Sequence, residues 1–148
     1  MSTYTQIIYQ IVFGTRNRER TLNEKNRQGL FKYITGIVQN KKCHLYQIGG
    51  VEDHIHVLMH LHPQIALSDL VKDIKLASTQ FIKTNNLFPN FNGWQEGYGA
   101  FTYSLKDKER LIAYIRDQEI HHRNKSFREE YLEFLNEHGI SFDEKFVP

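Results

Sequence analysis

The stretch "DHIHVLMHLHP", residues 53 to 63, alternates so strictly that it reads as a β-strand and fixes which side of that strand meets a core. Successive strand side chains point to opposite faces, so Ile55, Val57, Met59 and Leu61 share one face, while His54, His56, Leu58, His60 and His62 share the other. The apolar row must face the core, which leaves the histidine row off it. Considered alone, such a row is most simply a stripe in contact with water. Two residues apart on a strand, His54 and His56 also have α-carbons roughly 7 Å apart on one face, a span that one metal ion can bridge through both imidazoles.

The rest of the chain supplies partners for this strand. Residues 4 to 13 place Thr5, Ile7, Tyr9, Ile11 and Phe13 opposite Gln6, Ile8, Gln10 and Val12, as in a central strand. Asn23 can cap a helix in which Leu30, Phe31, Ile34, Ile37 and Val38 recur at three- and four-residue spacing, ending near Lys41. Gly49-Gly50 predicts a tight hairpin turn with positive φ just before the histidine strand. From Leu67 to Lys83 runs a second amphipathic stripe, with Ser68 as its expected cap, and "WQEGYGAFTYS" reads as a fourth strand. Ser104 is expected to cap a third helix reaching about Arg123, and Phe127 to Glu137 a short last helix stopped by Gly139.

The order β-α-β-β-α-β with helices added at the end predicts an α+β fold, a ferredoxin-like split βαβ antiparallel sheet with its first two helices on one face. One domain is expected in 148 residues, with residues 1–125 as its body and residues 126–148 as an acidic tail belonging to the same domain. The tail holds six acids against two bases, net −4, and the body 17 bases against 11 acids, net +6. A basic body permits contact with nucleic acid without requiring it. No apolar run approaches the roughly 18 residues of a membrane span, no basic leader opens the chain, and Cys43 is a lone cysteine, so a cytoplasmic protein is expected.

A second constellation lies in "ERLIAYIRDQEIHHR". Leu111, Ile112 and Ile115 form its apolar stripe, flanked by Tyr114, Gln118 and His121. Tyr114 and Gln118 are i,i+4 neighbours, and a helix laid on the histidine face could aim both at one point. Read alone, Tyr114 is more simply an amphipathic edge residue with a wet hydroxyl.

Taken together, "DHIHVL", "GWQEGYGAFTYS" and "YIRDQEIHH" resemble the single-tyrosine transposases of the HUH nuclease superfamily, carried by small bacterial insertion sequences. The resemblance covers most of the chain, and the tail "SFREEYLEFLNEHGISFDEKF" is similar to the repeat-associated branch of that family. It implies a metal-dependent enzyme that cleaves and rejoins single-stranded DNA with hairpin ends through a 5′-phosphotyrosine. Tyr114 would be the nucleophile, and His54, His56 and Gln118 would hold Mg²⁺ or Mn²⁺. A phenol of pKa about 10 needs such help at neutral pH. Mn²⁺ suits imidazole ligands better than Mg²⁺ does.

Asp53 is a candidate acceptor behind a liganding imidazole, and His121 is the best placed of the remaining histidines for a supporting role. Arg16, Arg18, Arg20, Lys72 and Lys75 are candidate phosphate contacts. A homodimer is also implied, paired through the fourth strand's edge, with Tyr114 and Gln118 delivered to the partner's histidines. Two other classes compete: a non-catalytic ferredoxin-like module binding single-stranded nucleic acid on its sheet, and a structural zinc protein, which the absence of a cysteine cluster disfavours.

Overall fold

The computed structural model describes residues 2–148. Four strands, β1 (Ile8–Gly14), β2 (His44–Gly50), β3 (His54–His60) and β4 (Gly99–Tyr103), lie in the order β2-β3-β1-β4, and every neighbouring pair is antiparallel. The chain crosses from β1 to β2 through α1 (Glu24–Asn40) and from β3 to β4 through α2 (Leu67–Thr84). This is the expected α+β, ferredoxin-like split βαβ sheet, with β4 and β2 at its edges.

Both crossover helices pack on the face predicted for them. Leu30, Ile34 and Val38 of α1 and Leu70, Val71 and Ile74 of α2 close over Ile11 and Phe13 of β1 and Ile55, Val57 and Met59 of β3. Asn23 caps α1 by accepting the Asn26 N–H at 3.0 Å. Trp94 joins this core, edge-on to Phe13 at a centroid distance of 5.0 Å, with its indole N–H donating to Ser78 Oγ at 3.0 Å.

The opposite face is not wet. The C-terminal third of the chain forms α3 (Lys108–Arg116), the short α4 (Gln118–His121) and α5 (Phe127–Glu137), and these cover it. Leu111 and Ile115 of α3 pack on Ile8 and Leu58, while Phe127, Tyr131, Phe134 and Leu135 pack on Val12 and Phe101. His54 and His56 are therefore fully buried, which corrects the reading of the histidine row as a solvated stripe. An amphipathic tail helix must bury its apolar side somewhere, and α1 and α2 already hold the other face.

Four local expectations are corrected. Gly49 and Gly50 belong to β2 and neither has positive φ; the turn falls on residues 51 to 53. Gly49 is required by close approach instead, because a Cβ there would lie 2.4 Å from the carbonyl oxygen of Ile115. Ala66, not Ser68, occupies the N-cap of α2. Ser104 precedes a 3-10 turn over Leu105–Asp107, and its hydroxyl pairs with the Asp107 carboxylate rather than capping a helix. The third helix stops at Arg116 and α4 restarts at Gln118, with Asp117 between them at φ −96°, ψ 24°. Asp is a weak helix-interior residue, so the break falls where it costs least.

Candidate active site

The strand pairing holds the two central imidazoles before any helix arrives. β1 runs beside β3 with Val12 opposite His56 and Gly14 opposite His54. His54 Nδ1–H donates to Asp53 Oδ1 at 2.7 Å, and His56 Nδ1–H donates to Gln10 Oε1 at 2.7 Å. Gln10 is itself held by donating to the Tyr103 hydroxyl at 3.0 Å. Phe127 stacks on the His54 ring at 4.1 Å, a placement open only because residue 14 is glycine: a Cβ there would sit 2.6 Å from the Phe127 ring. With both Nδ1 atoms held, both Nε2 atoms are presented to one point.

That point is the carboxylate of Glu130, on α5. Glu130 Oε1 lies 3.1 Å from His54 Nε2 and 2.9 Å from His56 Nε2. Its Oε2 accepts the hydroxyl hydrogen of Tyr114 and, at 3.3 Å, an amide hydrogen of Gln118. Gln118 Oε1 in turn stands 3.3 Å from His54 Nε2. His122 Nε2 is 3.2 Å from Glu130 Oε2 but misaligned, so this buried nitrogen has no hydrogen-bond partner. Ligand atoms from His54, His56, His122 and Glu130 all lie within 4.8 Å of one another, a donor set that fits a divalent cation.

The charges are strongly coupled. Burial disfavours ionisation of Glu130, yet the surrounding imidazoles outweigh it and hold the carboxyl well below its ordinary range. Burial likewise opposes charge on both histidines. His54, which touches the Asp53 and Glu130 carboxylates, is raised overall, whereas His56, which touches Glu130 alone, stays lowered. Burial and the adjacent Glu130 charge push the Tyr114 phenol far up. Tyr114 thus ionises only if something neutralises that carboxylate.

Within one chain the fold brings together Tyr114, Gln118, His54, His56 and Asp53. His121 instead stacks on the Tyr114 ring at 4.6 Å, and the imidazole beside Glu130 belongs to His122. Arg16, Arg18 and Arg20 are exposed and follow the end of β1 next to His54, with Arg20 also lining an open cleft of about 550 Å³ beside Asp53, His122 and Phe127. Lys72 and Lys75 sit on α2, across the sheet, and the Lys75 ammonium is already bound by the carbonyls of Gln95 and Gly97 at 2.9 and 2.6 Å.

Glu130 and His122 were missed by sequence reasoning. A signal for Glu130 existed: Phe127, Tyr131, Phe134 and Leu135 are the buried stripe of α5, and Glu130 falls within it at i+3 from Phe127. A lone acid inside an apolar stripe asks for a buried partner. A sheet-face binding module is also disfavoured, since α3 and α5 cover the face it would use.

The sheet presents paired histidines to a helix-borne tyrosine, and the family described as "Transposase IS200 like", a class of DNA-processing enzyme, matches residues 3–118. The chain belongs to that family of tyrosine transposases. It is similar to the ISDra2 transposase TnpA of Deinococcus radiodurans, 25% identical over 118 residues that span 76% of this chain and 84% of the relative. Among solved structures it resembles a Deinococcus radiodurans R1 protein described as a transposase, with a TM-score of 0.62 and 23% identity over 80% of this chain and 95% of the other. It also resembles a REP-associated tyrosine transposase bound to a REP hairpin, with a TM-score of 0.60 and 21% identity over 82% of this chain and 74% of the other. The family match ends at Gln118, so α5 and Glu130 lie beyond it.

Proposed function

We propose that this chain cleaves and rejoins single-stranded DNA through a 5′-phosphotyrosine on Tyr114. The observation that carries this reading is convergence: the Tyr114 hydroxyl and the Nε2 atoms of His54 and His56 meet on one buried carboxylate. A nucleophile and a pair of prospective metal ligands then address the same phosphate. His54 and His56, with Gln118, would hold Mg²⁺ or Mn²⁺, whose charge would polarise a non-bridging phosphate oxygen and offset the Glu130 carboxylate.

The chain's own groups supply the rest. Tyr114 Oη gives up its proton to water as it attacks phosphorus, the bond to the 3′-oxygen breaks, and that oxygen takes a proton from water to leave as a 3′-hydroxyl able to reverse the step. Glu130 Oε2 accepts the Tyr114 hydroxyl hydrogen bond and so holds Oη beside the two imidazoles. Asp53 and Gln10 keep both imidazoles from turning while this happens. Arg16, Arg18 and Arg20, at the His54 end of the sheet, would meet an incoming backbone, whereas Lys75 is engaged by its two carbonyl partners.

The partner in this reading is a hairpin-bearing single strand in the cytoplasm, in keeping with the REP hairpin bound by the structural relative. Two copies pair through the edge of β4, which has β1 on one side only. No helix among the described residues is long and apolar enough to cross a membrane. The test is a denaturing gel with labelled hairpin substrates and Mn²⁺. Wild type should form a covalent adduct, and Tyr114→Phe should form none while binding DNA nearly as well. An adduct that persists in that variant, or maps to Tyr98 or Tyr103, removes the assignment.

A further inference from the structure

We infer that Glu130 is itself a ligand of the ion held by His54 and His56, so that the site is two imidazoles and one carboxylate rather than a neutral set. This deepens the metal-dependent reading above and rests on it.

Spacing comes first. Two atoms bound side by side on one ion at roughly 2.1 Å lie about 3.0 to 3.4 Å apart. Glu130 Oε1 stands 3.1 and 2.9 Å from the two Nε2 atoms, and Oε2 stands 3.2 Å from that of His122. Two of these separations are those that neighbouring ligands adopt, and the third, 2.9 Å, is just short of them. Because Asp53 and Gln10 hold the Nδ1 atoms, neither ring has to turn to receive an ion.

Burial comes second. Glu130 is 1% exposed, and among the described residues no lysine or arginine touches it; its partners are imidazoles, a phenol and an amide. A carboxylate in such a place needs a compensating positive charge. A divalent cation held by the two imidazoles would supply it. The unpartnered Nε2 of His122, on a side chain 8% exposed, is a further buried nitrogen facing the same carboxylate. Two histidines and a carboxylate with open positions are a set suited to first-row divalent metals, which leaves room for a phosphate oxygen.

A rival use of the same geometry is a stand-in: Glu130 fills the ion's place and withdraws when the ion arrives. The two differ in the sign of their effect on affinity. Metal-free protein is titrated with Mn²⁺ and followed by loss of the free-ion electron paramagnetic resonance signal, for wild type, Glu130→Gln, Gln118→Ala and His56→Ala. A ligand role predicts at least tenfold weaker binding in Glu130→Gln, comparable to His56→Ala. Binding by Glu130→Gln as tight as wild type or tighter, with His56→Ala still defective, overturns the proposal while leaving the metal-dependent reading intact. Wild type that fails to bind Mn²⁺ at all removes both.

A second measurement needs no variant and so does not depend on Glu130→Gln folding. Hydrogen exchange of wild type should show the amides of α5 more protected when Mn²⁺ is added, since a ligand ties the helix to the ion. Lower protection of α5 on Mn²⁺ addition would mark Glu130 as a stand-in and overturn the proposal.

Discussion

An imidazole offers its Nε2 to a metal only as steadily as its Nδ1 is held, and here the holding residues are Asp53 and Gln10. Asp53→Ala is expected to lower Mn²⁺ affinity or strand cleavage by about 10- to 100-fold, the usual loss when a partner behind a liganding histidine is removed. His60→Ala should cleave at close to the wild-type rate. Its Nδ1 accepts the Ile7 N–H at 3.1 Å at the far end of the strand, away from the cluster. Initial cleavage rates on one hairpin substrate separate the two, and equal loss in both variants would mean that the histidine row acts as scaffold. His54 and His56 were legible as a pair because strand alternation puts residues two apart on one face. The link from Glu130 to the strand was hard to find because His56 lies 74 residues earlier, and no spacing rule spans that distance.

At the scale of elements, helices and strands announced themselves and their joints did not. The stripe of α1, its Asn23 cap and the bounds of α5 followed from periodicity, whereas the β2–β3 turn was misplaced because Gly49 serves packing rather than φ. That difference can be measured. Gly49→Ala should destabilise the protein by about 1–3 kcal/mol, since its methyl group meets the Ile115 carbonyl and must push back the helix carrying Tyr114. Gly29→Ala, on the exposed side of α1 with nothing within 4 Å of the added atom, should stabilise by about 0.5–1 kcal/mol. Urea unfolding of both variants decides the matter, and an unchanged midpoint for Gly49→Ala would contradict the tight approach of α3 to β2. The break at Asp117 was invisible for a related reason: Tyr114 and Gln118 keep helical spacing in sequence whether or not the helix is continuous.

The whole molecule carries one complete constellation per chain. When Tyr114→Phe and His56→Ala chains are co-expressed and the mixed dimer is purified, neither chain owns a full set, so no cleavage beyond that of the separate variants is expected. Substantial cleavage by the mixed dimer would instead show that α3 crosses to the partner, the arrangement the family resemblance implied. The topology of the sheet and the side that carries the histidines were readable from the pattern of elements. What covers that side was not, because the tail looks like an acidic appendage until its apolar stripe has a surface to meet.

The position of α5 at the end of the chain also sets the order in which the protein becomes finished. His54 and His56 are made at least 74 residues before Glu130, so a nascent chain passes through a stage in which Val12 and the rings of His54 and His56 lack their cover. A recombinant fragment trimmed to the stretch shared with the family would be arrested at that stage, with an oily, aggregation-prone sheet face where the mature protein has a sealed chemical centre.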